Sequence, residues 1–231
     1  MATTTLMAIA AHPGDAVFSM GGAVAQHVRN GGKGVFLSLT LGEKGAPAGI
    51  TAEQYGETQR AASLKAAKVL GAEFELLTYP DAEIPLRDQT ALAVCDVIRK
   101  HQADIVITHW SGSWHKDHQH CHLLVRDAVF YASLKTMNRQ DPPHGVRKLF
   151  YADNWEDAEN FKPDTYLDIT DVFDKFLAAG DAYPMWRGET GFRYNDYYSS
   201  LAVMRGCLSG FKHAVALMSD MSERITRLRT L

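Results

Sequence analysis

Short apolar runs alternate with longer helical patterns along the first half of the chain, and this alternation limits the possible folds most strongly. The predicted strands of this half are Thr5–Ala11, Gly34–Leu41, Glu73–Tyr79 and Ala103–Thr108. Uniformly apolar strands separated by helices are typical of βαβ units, whose parallel sheet is covered by helices on both faces. Because such crossovers are right-handed, the pattern favours a doubly wound α/β fold.

The segments between these strands have the apolar spacing of helices. The predicted helices are Gly21–Asn30, Ala52–Leu70 and Asp88–His101. The second of them stops before Gly71, because glycine readily takes the left-handed conformation that ends a helix. We assume the common strand order 3-2-1-4, which makes the first and fourth strands neighbours and places a ligand crevice between their carboxyl ends.

The second half of the chain has a less regular pattern. Its predicted elements are strands at Lys148–Ala152 and Tyr166–Ile169 and helices at Cys121–Leu134, Asp171–Ala182 and 201–227. Residues 153–165 look polar and irregular, and 184–200 is rich in aromatic side chains. No repeat or long linker divides the sequence, so we expect residues 1–231 to form one Rossmann-like α/β domain with a mostly parallel sheet.

Composition excludes several classes of function. The 231 residues carry 24 basic and 27 acidic side chains, a formal net charge of −3, so we expect no nucleic-acid or membrane partner. No apolar run approaches the ~20 residues of a transmembrane helix, and the N-terminus lacks the basic region of a signal peptide. Three widely spaced cysteines do not form a disulfide framework. We therefore expect a cytoplasmic protein.

Two polar clusters follow directly on buried strands. The first is Ala-His-Pro-Gly-Asp at 11–15, and the second is Trp-His-Lys-Asp-His at 114–118. Catalytic zinc usually has three protein ligands from histidine and carboxylate side chains and one open position, so we predict a site formed by His12, Asp15 and His118. The same ligand types leave iron and manganese open.

The second cluster belongs to a stretch, 109–122, that holds five of the ten histidines. In it, His115 is the candidate to protonate a leaving group or stabilise an oxyanion, and Asp117 is the candidate to orient an imidazole. The other histidines of the stretch are interpreted as bystanders: His109, His120 and His122. The motifs of zincins, zinc fingers, serine hydrolases, dinucleotide-binding folds and phosphate loops are absent from the sequence.

These motifs resemble those of the LmbE/PIG-L family of zinc-dependent de-N-acetylases. The family signatures A-H-P-D-D and H-P-D-H correspond here to residues 11–15 and 115–118, and the similarity extends over most of the chain. The resemblance implies a Rossmann-like fold and the hydrolysis of an N-acetyl or other N-acyl group on an amino sugar or glycoconjugate. It assigns zinc to His12, Asp15 and His118.

The resemblance also implies further roles. His115 would act on the tetrahedral intermediate, and Asp117 would support it. Glu43, Arg60 and Asp81 match positions in or beside the substrate pocket. Because many members of the family assemble, the resemblance further implies a homo-oligomer.

One departure from the family pattern affects the expected chemistry. Gly14 stands where the family has the aspartate that acts as general base, and losing a positioned base typically lowers the rate about 10²–10⁴-fold. Another group could serve as base, with His115 ranked before Asp117 and Glu43, or the hydrolysis could be slow. Otherwise the chain is a metal-binding pseudoenzyme, or a metal enzyme for elimination or isomerisation on a carbohydrate. Gly14 would also leave space for a bulkier substrate.

Overall fold

The computed structural model describes residues 3–220, and the predicted α/β sheet is present there. Seven strands form one sheet in the order β3-β2-β1-β4-β5-β7-β6. The strands are β1 Thr5–Ala10, β2 Lys33–Ser38, β3 Glu73–Leu76, β4 Ile105–Thr108, β5 Lys148–Ala152, β6 Thr165–Asp168 and β7 Ala214–Ser219. Strands β1 to β5 are parallel, and β7 runs antiparallel to both β5 and β6. The assumed order of the first four strands is confirmed.

Helices cover both faces of this sheet. They are α1 Pro13–Arg29, α2 Ala52–Leu70, α3 Asp88–His101, α4 Lys116–Ser133, α5 Phe173–Gly180 and α6 Tyr194–Ser209. One core contains residues of α1, α2, α5 and α6, and the other contains residues of α3 and α4. Within residues 3–220, no helix has the length and apolar character needed to cross a bilayer.

Strand β1 lies in the middle of the sheet and contributes to both cores. Leu6 and Ala8 pack into the first core, whereas Met7 and Ile9 pack into the second. Complete burial of a large apolar side chain stabilises the fold by roughly 1.5–3 kcal/mol. The uniform apolarity of this strand therefore follows from its having helices on both sides.

Two helices begin earlier than the sequence pattern predicts, and both shifts affect the polar clusters. Helix α1 starts at Pro13 instead of Gly21, because proline suits the first helical position, where its missing N–H would have no partner in the helix. Helix α4 starts at Lys116 instead of Cys121, with His115 as its N-cap. The motif residues therefore occupy helix N-termini.

The prediction of a helix over 201–227 is wrong for much of its length. Helix α6 ends at Ser209 because Gly210 has a left-handed backbone with φ of 79°. The mostly apolar segment Ala214–Ser219 then forms β7, and 221–227 lies outside the described residues. A short apolar segment fits strand and helix templates alike, and its pairing between β5 and β6 decides for the strand.

Candidate metal centre

Three segments that follow neighbouring strands meet at the carboxyl edge of the sheet. Helix α1 follows β1, α4 follows β4 after a loop, and a short 3₁₀ helix at Trp155–Asp157 follows β5. Because these three strands are adjacent and parallel, their following residues converge on one point, as at the switch point of other open α/β sheets.

The structure brings the three predicted ligands together at this point. One ligand atom from each of His12, Asp15 and His118 lies within 4.8 Å of the others. The Asp15 Oδ2 atom is 2.9 Å from His12 Nδ1 and 3.0 Å from His118 Nε2, and the two nitrogens are 3.3 Å apart. Two imidazole nitrogens and a carboxylate oxygen match the donor set of a catalytic zinc site.

The His12 ring has its free nitrogen on the ligand side. Its Nε2 lies 3.0 Å from Asp81 Oδ1 and is held by that carboxylate, so Nδ1, which faces Asp15, is the ring nitrogen that a metal would take. Burial lowers the pKa of His12, but hydrogen bonds to the surrounding aspartates raise it well above the usual value. The three crowded carboxylates around this ring, those of Asp15, Asp81 and Asp117, are a negative environment that a bound dication would neutralise.

A buried carboxylate orients the His118 ring in the same way. Asp157 Oδ1 accepts from His118 Nδ1 at 2.8 Å, so that Nε2 is the ring nitrogen that a metal would take. Asp157 Oδ2 accepts from His109 Nδ1 at 2.7 Å, and His109 Nε2 accepts from the Ala11 N–H. Such carboxylate–imidazole pairs fix the tautomer of metal-binding histidines.

This arrangement corrects the interpretation of the histidine stretch. His109 is not a bystander, because it shares Asp157 with His118. Burial opposes ionisation of Asp157, but the two imidazoles hold its pKa below the usual range. His120 and His122 each pair with a backbone carbonyl, of Ile84 and His109 respectively, which are structural contacts.

His115 lies on the cavity side of these rings. It stacks on His118 with ring centroids 4.6 Å apart, and its Nδ1 accepts from the backbone N–H of Asp117 at 3.2 Å. The ring proton is therefore on Nε2. Burial and the nearby His12 and His118 lower the pKa of His115 to about 4. The Asp117 carboxylate is fully buried, and its Oδ2 lies 3.8 Å from His12 Nε2.

The segment after β5 supplies two further polar side chains. Asn154 Nδ2 donates to Asp15 Oδ1 at 3.3 Å, and Asn154 Oδ1 accepts from the Glu156 N–H at 3.0 Å. Glu156 Oε2 lies 3.4 Å from His118 Nε2. Burial and the Asp15 carboxylate raise the pKa of Glu156 to about 7. The sequence predicts this segment to be polar and irregular, although it follows a strand end as the two motifs do.

A cavity of about 440 Å³ opens over these groups. Its lining residues include metal-centre side chains, neutral polar groups and one cation: His12, Gly14, Asp15, Tyr55, Gln59, Asp81, His115, Glu156, Thr190, Tyr194 and Lys44. The Lys44 ammonium group forms an ion pair with Glu83. Among the residues that the structure describes, no arginine lines this cavity.

The predicted substrate-binding residues are distributed differently. Asp81 lines the cavity. Glu43 is not a lining residue, and it accepts a hydrogen bond from the Asp81 N–H at 2.8 Å. Arg60 Nε lies 3.6 Å from Glu57 Oε1, both on helix α2. Gln59, the residue before Arg60, lines the cavity instead. Contact of Glu43 and Arg60 with substrate stays a prediction.

Space beside Gly14 is limited by an aromatic ring. A Cβ atom at Gly14 would lie 3.1 Å from Cε2 of Phe18, one helical turn later. Both residues line the cavity. A larger side chain at position 14 therefore needs a shift of the Phe18 ring by a few tenths of an ångström.

The sequence of this chain is similar to a family model and to known proteins. The family model "PIG-L: GlcNAc-PI de-N-acetylase" matches residues 7–129, more than half of the chain. Diacetylchitobiose deacetylase from Thermococcus kodakarensis is 26% identical over 90% of this chain and 80% of its own. The 4-oxalmesaconate hydratase of Pseudomonas putida is 26% identical over 87% of this chain and 79% of its own.

A solved structure shows the same fold over the whole length. The 4-carboxy-2-hydroxymuconate hydratase GalB from Pseudomonas putida KT2440 has a TM-score of 0.88 and 24% identity, covering 99% of this chain and 100% of its own. At that identity the similarity establishes the fold. The relatives of this chain therefore include both a deacetylase and a hydratase.

Proposed function

The chain belongs to the PIG-L family of de-N-acetylases, and we propose that it is a metal-dependent hydrolase that removes an N-acetyl or other N-acyl group from an amino sugar or glycoconjugate. The observation that carries the proposal is the convergence of His12, Asp15 and His118 within 4.8 Å, beside the cavity that His12 and Asp15 line. His12 Nδ1 and His118 Nε2 are the ring nitrogens available to a metal, because Asp81 and Asp157 take the opposite ring nitrogens.

The proposed division of labour follows from the hydrogen bonds. His12, Asp15 and His118 would hold the metal, which when bound activates water and polarises a carbonyl group. His115 presents its Nε2–H to the cavity, because Nδ1 is occupied by the Asp117 N–H. That N–H suits stabilisation of the developing oxyanion, a contribution worth about 10²–10³ in rate in other acyl-transfer enzymes.

The lining of the cavity supports a neutral substrate. Tyr55, Gln59 and Thr190, which carry hydroxyl and amide groups, line it, and the lining cation Lys44 is paired with Glu83. A sugar acetamide needs hydrogen bonds and no cationic partners. A polycarboxylate would meet Asp15, Asp81 and Glu156 without an arginine among the described lining residues, and like charges at close range disfavour binding.

The test is amine release from a panel of N-acetylated sugars by the zinc-loaded protein. We expect His118→Asn to abolish both zinc binding and amine release. His120→Asn is the matched control, because it changes the same residue type on the same helix away from the ligand atoms and is expected to preserve both. Less than about a tenth of an equivalent of metal in wild-type protein, or turnover by the His118 variant equal to wild type, contradicts the proposal.

A second candidate, addition of water to a carbon–carbon double bond, is supported by two observations. Gly14 cannot act as the family's base, and a hydratase relative matches most of this chain. Hydration is the reverse of an elimination, and it breaks no amide bond. Loss of ultraviolet absorbance from an unsaturated oxo acid, without amine release from any acetamide, would favour it. Metal binding without either activity would indicate a pseudoenzyme.

Four further properties are proposed. Zinc is the metal, residues 1–231 form one domain, and the protein is a cytoplasmic homo-oligomer. Support for assembly comes from exposed apolar side chains on and after α6, at Val203, Met204, Leu208 and Phe211. Light scattering of the purified protein measures the subunit number, and a monomer at all concentrations contradicts this part.

A further inference from the structure

We propose that Glu156 is the catalytic base of this site and takes the role that Gly14 cannot perform. The inference rests on the proposed N-acyl hydrolysis. Neither the motifs nor the resemblance points to this residue, since it lies in the segment after β5 that no family signature covers.

The backbone of Glu156 is fixed on both sides. Its N–H donates to Asn154 Oδ1 at 3.0 Å, and its carbonyl oxygen accepts from the Trp114 N–H at 3.3 Å. Asn154 also donates to Asp15 Oδ1. The same amide side chain therefore couples the position of Glu156 to that of a predicted metal ligand.

The carboxylate of Glu156 points at the ligand group. Its side chain is 13% exposed, and its Oε2 atom lies 3.4 Å from His118 Nε2. In the neutral form that can bind a metal, this imidazole carries no charge, and no lysine or arginine of residues 3–220 forms an ion pair with Glu156. Removal of a carboxylate from water without a strong partner is costly, so this placement is explained better by a chemical role than by stability.

The other base candidates are occupied or lie elsewhere. The Nδ1 lone pair of His115 accepts from the Asp117 N–H, so its cavity side offers a proton and not a lone pair. Asp117 and Glu43 do not line the cavity described here, and Glu43 already accepts from the Asp81 N–H. Glu156 lines the cavity together with Gly14 and Asp15.

In the proposed reaction, Glu156 first accepts one proton and later returns it. A water oxygen attacks the acyl carbon while one water proton moves to a Glu156 Oε atom, and the carbonyl π electrons move to the oxygen that His115 Nε2–H stabilises. The carbon–nitrogen bond then breaks with its electron pair going to nitrogen, and Glu156 returns the proton to that nitrogen. The products are the acyl carboxylic acid and the free amine, and Glu156 ends as the carboxylate.

The experiment compares Glu156→Gln with Glu159→Gln, a matched change of an exposed glutamate on the same segment. Zinc content is measured first, followed by calorimetric binding of acetohydroxamic acid, which must give up a proton when it binds a metal centre. Amine release is the third measurement. The second measurement needs no knowledge of the substrate.

We expect Glu156→Gln to keep its zinc, bind acetohydroxamic acid at least about tenfold more weakly and lose about 10²–10⁴ in amine release, with the Glu159 variant unchanged. Gly14→Asp in the Glu156→Gln background should recover part of the lost rate. Loss of zinc would make Glu156 a ligand, and unchanged hydroxamate affinity would remove its role as proton acceptor; either result overturns the inference. Weaker hydroxamate binding in a protein that hydrolyses no acetamide would support Glu156 and refute the proposed function instead.

Discussion

Replacing Asp157 by asparagine should weaken metal binding although residue 157 would not touch the metal. The wild-type carboxylate accepts two N–H groups, from His118 Nδ1 at 2.8 Å and from His109 Nδ1 at 2.7 Å. Asparagine has one oxygen for these two donors. His109 keeps its proton on Nδ1 because its Nε2 accepts from the Ala11 N–H, so the amide oxygen should turn to His109.

The amide NH₂ group then faces His118 Nδ1, which becomes an acceptor, and the ring proton moves to Nε2. That nitrogen faces Asp15 and is the one that the metal needs unprotonated. When a metal takes Nε2, the proton must return to His118 Nδ1, and that N–H then faces the amide NH₂ group without an acceptor. A donor without an acceptor in a buried site costs about 1–3 kcal/mol. Changes of groups behind metal ligands lower affinity about 10–100-fold, which corresponds to about 1.4–2.7 kcal/mol. The two magnitudes agree.

The assay is zinc affinity by competition with a chelator, together with thermal unfolding of the metal-free protein. Asp104→Asn is the control, because Asp104 is also a buried aspartate and accepts from the Thr5 N–H at 3.0 Å where β1 and β4 begin, at the other end of the sheet. It should lower stability and leave zinc affinity unchanged. Zinc affinity of the Asp157 variant within about twofold of wild type, a difference of roughly 0.4 kcal/mol, would refute this reasoning.

Two other predictions concern stability. A Cβ atom at Gly180 would lie 2.3 Å from Cε2 of the buried Trp186, so Gly180→Ala should destabilise the protein by about 1–3 kcal/mol, as measured by thermal unfolding. Gly145 has open space around it, so the control Gly145→Ala should be close to neutral. Burial raises the pKa of Glu75, but the basic side chains at the end of α3 hold it below the usual value. A lowered folded-state pKa stabilises above the unfolded pKa, so Glu75→Gln should cost about 0.5–1 kcal/mol at pH 7, and denaturant titrations should show the difference vanish as the pH falls through the folded pKa. A cost that is equal at pH 7 and in acid would contradict the ion-pair explanation.

The fold of the first half could be predicted from the sequence because β1, β2 and β4 are buried along most of their length, whereas the edge strand β3 is only partly buried. That burial requires uniform apolarity, as in β1, and the helices between the strands require the parallel order that the structure has. The segment 214–219 could not be predicted in this way, because five apolar residues followed by a serine fit a helix or a strand and only their pairing with β5 and β6 decides.

The sequence likewise predicted only some residues of the candidate site. Local sequence determined that His12, Asp15 and His118 follow strand ends, and strand order alone was enough to expect them together. The sequence also determined that no acid stands at position 14. It could not show that β5 lies beside β4 and brings Asn154, Glu156 and Asp157 to the same point.

Those contacts join residues 39 to 139 positions apart in the chain, and no local pattern encodes them. The tautomers of His12 and His118 likewise depend on which carboxylate reaches the far side of each ring. The sequence thus determined which groups are available for the chemistry, because residue type and strand-end position are local properties. The tertiary structure decided which lone pairs are free and which carboxylate faces the cavity, because those depend on neighbours across the sheet.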